Sequence, residues 1–81
     1  MEEIVIRYRL TNSQDVKELV VFGHCTIGAI KQIVLISESI DPNLYKIVIR
    51  ENHSGARYHS HHALETGLHE LLITPSLRET P

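Results

Sequence analysis

The chain has little of what usually identifies a small protein: one cysteine, no tryptophan, one phenylalanine, three prolines and four glycines in 81 residues. A lone Cys25 excludes an intramolecular disulfide framework and a cysteine-based zinc site. A small chain without disulfides is expected in a reducing, intracellular compartment, the cytoplasm or the nucleus. Apolar runs such as Ile33 to Ile36 fall far short of the ~20 residues that cross a bilayer, so no membrane partner is expected. The opening Met1-Glu2-Glu3 lacks the positive n-region and apolar stretch of a secretory signal. Neither sign of charge dominates. A net charge of −2 argues against generic binding to nucleic acid or anionic membranes. No repeat, low-complexity tract or Pro/Gly/Ser linker divides the chain. What remains is 42% hydrophobic and 22% charged, the balance of one ordinary globular domain.

The apolar spacing gives the elements. Ile4, Ile6, Tyr8 and Leu10 alternate with Val5, Arg7 and Arg9, and this period of two predicts a strand with one buried face. Thr11 to Asp15 supplies turn formers, and Lys17 to Phe22 predicts a second strand that closes an antiparallel hairpin. Its inward face stays open between Leu19/Val21 and Val20/Phe22. Thr26 is placed to cap a helix running to about Glu38. Ile27, Ile30, Val34 and Ser37 lie on one stripe of it, with Ile33 beside them. The β-branched Ile33, Val34 and Ile36 favour a strand, so the helix rests on spacing and not on propensity. Pro42 disfavours helix at Asp41. Leu44 to Arg50 alternates again, with Tyr45, Ile47 and Ile49 inward and Lys46, Val48 and Arg50 outward. Asn52 to Gly67 is polar and histidine-rich and reads as loop, pinned by Tyr58 and Leu64. A last strand, Glu70 to Thr74, points Leu71 and Ile73 inward and is halted by Pro75. The domain is expected over residues 1–75, with 76–81 a flexible tail.

The order strand, strand, helix, strand, loop, strand predicts an α+β fold, a β-hairpin followed by a helix packed on one face of a four-stranded mixed sheet. This pattern resembles a ubiquitin-like (β-grasp) domain over Ile4 to Thr74. The likeness is carried by Ile4-Val5-Ile6-Arg7-Tyr8, Thr26 to Ile33, Tyr45 to Arg50 and Leu68 to Ile73. Within that group it is most similar to the DWNN domain, which opens proteins of an mRNA 3′-end processing complex. The spacing of Ile47-Val48-Ile49, Tyr58, Ala63-Leu64 and Leu71-Leu72-Ile73 follows that family without a gap. Two stretches depart from it: Ser60-His61-His62 replaces an acidic-Asn stretch, and Thr74-Pro75-Ser76 stands where the family has a basic pair. The resemblance implies a binding module at the N-terminus of a larger intracellular protein. Ubiquitin-type modifiers end in Gly-Gly, whereas no such pair occurs in this chain, which ends Leu77-Arg78-Glu79-Thr80-Pro81. The expectation is a domain that is not conjugated.

Six histidines raise a metal reading, centred on His59, His61 and His62 with His53 and His69 nearby. A structural zinc site needs four ligands with supporting partners, and no Cys or Asp lies in the segment. A solvated loop is the simpler account, and no metal or cofactor is expected. Clustered histidines also gain charge below about pH 6.5, which allows a pH-sensitive interface. Cys25 beside His24 could form a thiolate pair at a helix start, but a small apolar residue leading into the helix explains it better. Ser54-Gly55-Ala56-Arg57 lacks the phosphate-loop pattern, and no nucleophile sits in a recognisable turn. No enzyme activity is expected.

The outward sheet face is the informative feature. It is expected to carry Val5, Arg7, Arg9, Lys46, Val48, Arg50, Glu70, Leu72 and Thr74. Val48 and Leu72 would form an exposed apolar centre, with Arg7, Arg9, Lys46 and Arg50 pairing with acidic groups of a protein partner. On this reading Val48→Glu abolishes binding and leaves the melting temperature nearly unchanged. The alternatives are a DWNN-like role in which the same basic residues meet phosphates, and a histidine-loop metal site. An open edge strand could also pair with a second copy of the chain, so the sequence leaves the oligomeric state open.

Overall fold

Alternation, capping and turn chemistry together lay out the elements seen in the structure, a computed structural model that describes residues 2–79 of the chain. They are β1 (Glu3–Leu10), β2 (Lys17–Phe22), α1 (Ile27–Ser37), β3 (Tyr45–Glu51), β4 (Arg57–Tyr58) and β5 (Gly67–Leu77). The five strands form one mixed sheet in the order β2-β1-β5-β3-β4. β1 and β5 run parallel, and the other neighbours are antiparallel. This is the α+β, hairpin-then-helix arrangement of a β-grasp-like fold, with β4 an added two-residue strand.

The core lies between α1 and the inner face of the sheet. Ile4, Ile6 and Tyr8 of β1 are buried there with Ile47 and Ile49 of β3 and Leu71 and Ile73 of β5. From the helix come Ile27, Ile30 and Val34, each fully buried, while Ser37 at the end of the expected stripe is exposed. Thr26 caps α1 as its spacing implies, its hydroxyl accepting from the Ala29 N–H at 3.2 Å. Two more first-turn donors are taken by the histidine-rich loop, with Ile27 N–H on His62 C=O and Gly28 N–H on Ser60 C=O, both at 2.8 Å. That loop is therefore fastened to the helix start, and Leu64 is buried beneath it. The helix ends on Ser39 in the left-handed region (φ 54), with Ile40 N–H on Leu35 C=O at 2.9 Å and Ser39 N–H on Ile36 C=O at 3.3 Å. This double closure, a Schellman motif, stops the helix before Pro42 is reached.

The strands differ from the sequence reading at several points, and the last one begins at Gly67, not at Glu70. Tyr45, expected inward, sits at the start of β3 and is 36% exposed. Pro75 does not halt β5, which continues to Leu77, and Arg78 N–H then donates to Leu44 C=O at 2.7 Å. The strand tolerates Pro75 because of sheet order. Thr11 N–H reaches Ile73 C=O, so the odd-numbered groups of β5 face β1. β1 has ended by then, its last pairing being Leu10 with Ile73. The donor that proline lacks would meet no strand. β5 thus runs past residue 75, and residues 80–81 of the expected tail lie outside the described residues.

Candidate partner-binding surface

The face turned away from α1 is built by the residues that alternate with the core. Register gives its rows, because directly paired residues share a face. Val5 is opposite Val20 on β2 and Leu68 on β5, so three apolar side chains cross adjacent strands in one line. Strands lie about 4.8 Å apart, which makes the line continuous. Phe22, two residues along β2 from Val20, joins it diagonally. Phe22 is 55% exposed, Leu68 52% and Val20 47%, and Val5 is half-buried between its neighbours.

Charge borders this row. Glu18, Arg7 and Glu70 form the next line across the same strands. Arg7 Nε donates to Glu18 at 3.1 Å, and Glu70 pairs with the His53 imidazole. Beyond Leu68 the β3 side of β5 is open, leaving a depression of about 290 Å³ lined by Glu51, His53, Tyr58, Leu68, His69 and Glu70. On the far side of the charged line the face turns basic. Arg9, Leu72, Arg50 and Arg57 follow one another across β1, β5, β3 and β4.

The expected site residues all lie on this face, but not as the expected centre. Val48 is only 8% exposed, so the exposed apolar centre placed on it is corrected. It points outward, away from the main core cluster. Thr74 is its direct partner, and Lys46 and Arg50 stand two residues to either side. Leu72 is half-buried within the basic line. Arg7 is engaged with Glu18, and Arg9 Nη1 donates to the carbonyls of Leu10 at 3.3 Å and Ser13 at 3.0 Å, closing the β1–β2 turn. Lys46, Arg50 and Arg57 make no ion pair among the described residues.

Val20, Phe22 and Leu68 were not singled out by the sequence reading. The two faces of β2 are equally apolar in sequence, and only the pairing Val5–Val20 decides between them. Leu68 lies between the expected loop, which ends at Gly67, and the strand that alternation starts at Glu70; its pairing with Val5 is what sets it on the outer row.

Cys25 is buried, which pushes its thiol up, the opposite of what a nucleophile needs. The rings of His59 and His61 stack with centroids 6.0 Å apart, and Tyr58 meets His62 at 5.0 Å. Among the described residues no three His, Cys, Asp or Glu side chains come together to hold a metal ion. No helix of the described residues is long and apolar enough to cross a membrane. Compared with known proteins, the chain matches no family model and no curated sequence. The fold is compatible with a ubiquitin-like β-grasp.

Proposed function

We propose that this chain is a non-enzymatic, ubiquitin-like docking domain of an intracellular protein, and that it recruits a protein partner through its outer sheet face. The observation that carries the reading is the row Val20–Val5–Leu68 with Phe22, half-exposed and in register on three adjacent strands. Scattered surface valines are ordinary, but a contiguous apolar patch bordered by charge is what transient interfaces use. The depression beside Leu68 offers a place for an inserted side chain. Lys46 and Arg50 supply basic contacts beyond the row, on the same face as Val48 and Leu72. The partner's complementary surface is an apolar strip with acidic groups at one end.

Leu68→Glu tests this. Leu68 is 52% exposed, so the variant should keep its melting temperature within a few degrees. A partner captured by the wild type from cell extract should be lost by the variant. Amide shifts on adding that purified partner should cluster on β1, β2 and β5. Capture that survives the substitution, or shifts confined to α1, would overturn the reading.

A second reading is favoured by the line Arg9–Leu72–Arg50–Arg57 with Lys46 close by. Here the basic end meets phosphates, in keeping with a DWNN-like module of an mRNA 3′-end processing factor. Affinity for a single-stranded RNA would then fall steeply with added salt. An apolar hot spot would leave affinity nearly independent of salt.

A further inference from the structure

The two edges of the sheet are unlike. On one edge β4 pairs only with Ile49 and Arg50 of β3, leaving the short stretch Tyr45–Val48 beside it, whereas β2 presents six residues, Lys17-Glu18-Leu19-Val20-Val21-Phe22, without proline. Hydrogen bonding fixes which of its backbone groups are spare. Gly23 N–H donates to Glu2 C=O at 3.3 Å, and the β1–β2 register is unbroken from Glu3–Phe22 to Tyr8–Lys17. Pairs in an antiparallel ladder alternate between bonded and non-bonded. Lys17, Leu19 and Val21 therefore turn their N–H and C=O groups to β1, while Glu18, Val20 and Phe22 turn theirs outward. An open edge of β-branched and aromatic residues is a template for another strand.

From this geometry we propose that two copies of the chain join edge to edge through antiparallel pairing of β2, with Val20 facing the partner's Val20. This goes beyond the docking face and does not depend on it. Only same-parity pairings keep the two helices on one side of the joined sheet. Among these, centring on Val20 sets Glu18 opposite Phe22 in both directions and engages all three spare positions of each copy. Six hydrogen bonds then form across the edge. Shifting the centre to Leu19 sets Val20 against Glu18, and shifting it to Val21 leaves Glu18 opposite a residue beyond the strand, so both lose pairing. Centring on Val20 also keeps the two Glu18 carboxylates apart, and each retains its own Arg7.

Side chains reinforce the choice on both faces. Outside, Leu68–Val5–Val20 continues into its symmetry copy, giving one apolar row across six strands. Inside, the half-buried Leu19 meets the partner's Val21. Six residues a side bury much less than the ~1,600 Å² of a standard stable interface, so the dimer is weak and concentration-dependent.

Sedimentation of the 81-residue chain tests the proposal. The apparent mass should rise toward twice the monomer value between about 10 µM and about 1 mM. Val20→Pro removes an outward donor without touching the β1 ladder, and should stay folded and monomeric over that range. Leu68→Glu, two strands from the edge, should still dimerise, which separates this proposal from the docking reading. Should Val20→Pro fail to fold, amide exchange on the wild type decides. Protection should grow with concentration at Glu18, Val20 and Phe22 and stay constant at Leu19 and Val21. A wild type that remains monomeric to about 1 mM, or protection that grows elsewhere, would overturn the proposal.

Discussion

The two faces of this sheet use the same residue types to opposite ends. On the inner face Ile4, Ile6, Ile49 and Ile73 are at most 2% exposed, packed against one helical stripe. On the outer face Val20, Phe22 and Leu68 stay about half exposed with nothing laid over them. Hydrophobicity alone therefore does not mark the core. The difference lies in what is opposite: α1 covers one side, and on the other a row of apolar side chains is left uncovered by the described residues. Val48 stands between the two cases, outward in register yet only 8% exposed.

Breaking the inner face should be the most damaging change. Ile49 is fully buried, so Ile49→Ala should cost about 3–4 kcal/mol, a large share of the stability of a domain this small. Leu68→Ala on the outer face should stay within about 0.5 kcal/mol, and urea unfolding measures both. An inner-face loss as small as the outer one would mean that the two faces are misassigned.

The next largest effect concerns the polar clamp that closes the core at the helix end. Glu38 accepts from the Tyr8 hydroxyl at 3.1 Å and from Lys17 Nζ at 2.7 Å, tying β1 and β2 to the end of α1. Glu38→Ala leaves the buried Tyr8 hydroxyl without its partner and should cost about 2 kcal/mol. The hydrogen bond from Lys17 and, after it, that from Tyr8 hold the Glu38 carboxyl below its usual range. Its stabilisation is therefore present at neutral pH and lost as pH falls through the lowered value. Tyr8 is pushed up to about 12, by burial first and then by Glu38. Its share is present below the ordinary tyrosine value and lost as pH rises from about 10 toward 12. Tyr8→Phe should remove that alkaline loss and leave the acid one, as melting curves across pH would show.

Val48 sharpens the comparison at smaller scale. Its 8% exposure predicts that Val48→Ala costs about 1 kcal/mol in urea unfolding, between the inner and outer values. A loss as small as that of Leu68→Ala would restore Val48 as an exposed contact.

How far the fold could be read ahead depends on whether each feature was local. The β1 alternation, the Thr26 cap and the Ile27–Ile30–Val34 stripe rest on neighbours in sequence and are found where the spacing put them. What escaped depends on other strands. The outward side of β2 is decided by its pairing with β1, since Leu19/Val21 and Val20/Phe22 are alike as a pattern. Leu68 becomes a strand residue because β1 runs beside it, and Pro75 fits in β5 because β1 has stopped. Val48 is outward by alternation, yet its burial depends on its surroundings in the sheet and not on its place in the pattern. The candidate face was thus legible as a list of outward positions, but its apolar centre was not, because exposure is set by what surrounds a side chain.

The smallest effect expected is a gain, and it concerns the junction where the covered face ends. Ser39 holds φ 54, a left-handed conformation that crowds the Cβ of an L-residue and costs glycine nothing sterically. The backbone bonds of the closure, from Ile40 N–H to Leu35 C=O and from Ser39 N–H to Ile36 C=O, do not involve the serine side chain. Ser39 is exposed, so removing its hydroxymethyl group gives up little packing. Ser39→Gly relieves the steric cost but adds freedom to the unfolded chain, and these terms oppose each other. The net expectation is a stabilisation of about 0.5 kcal/mol, read as a melting temperature higher by a few degrees. A lower melting temperature would mean that the helix ends by another closure, and that Ile40 is not held against Leu35 at the rim of the core.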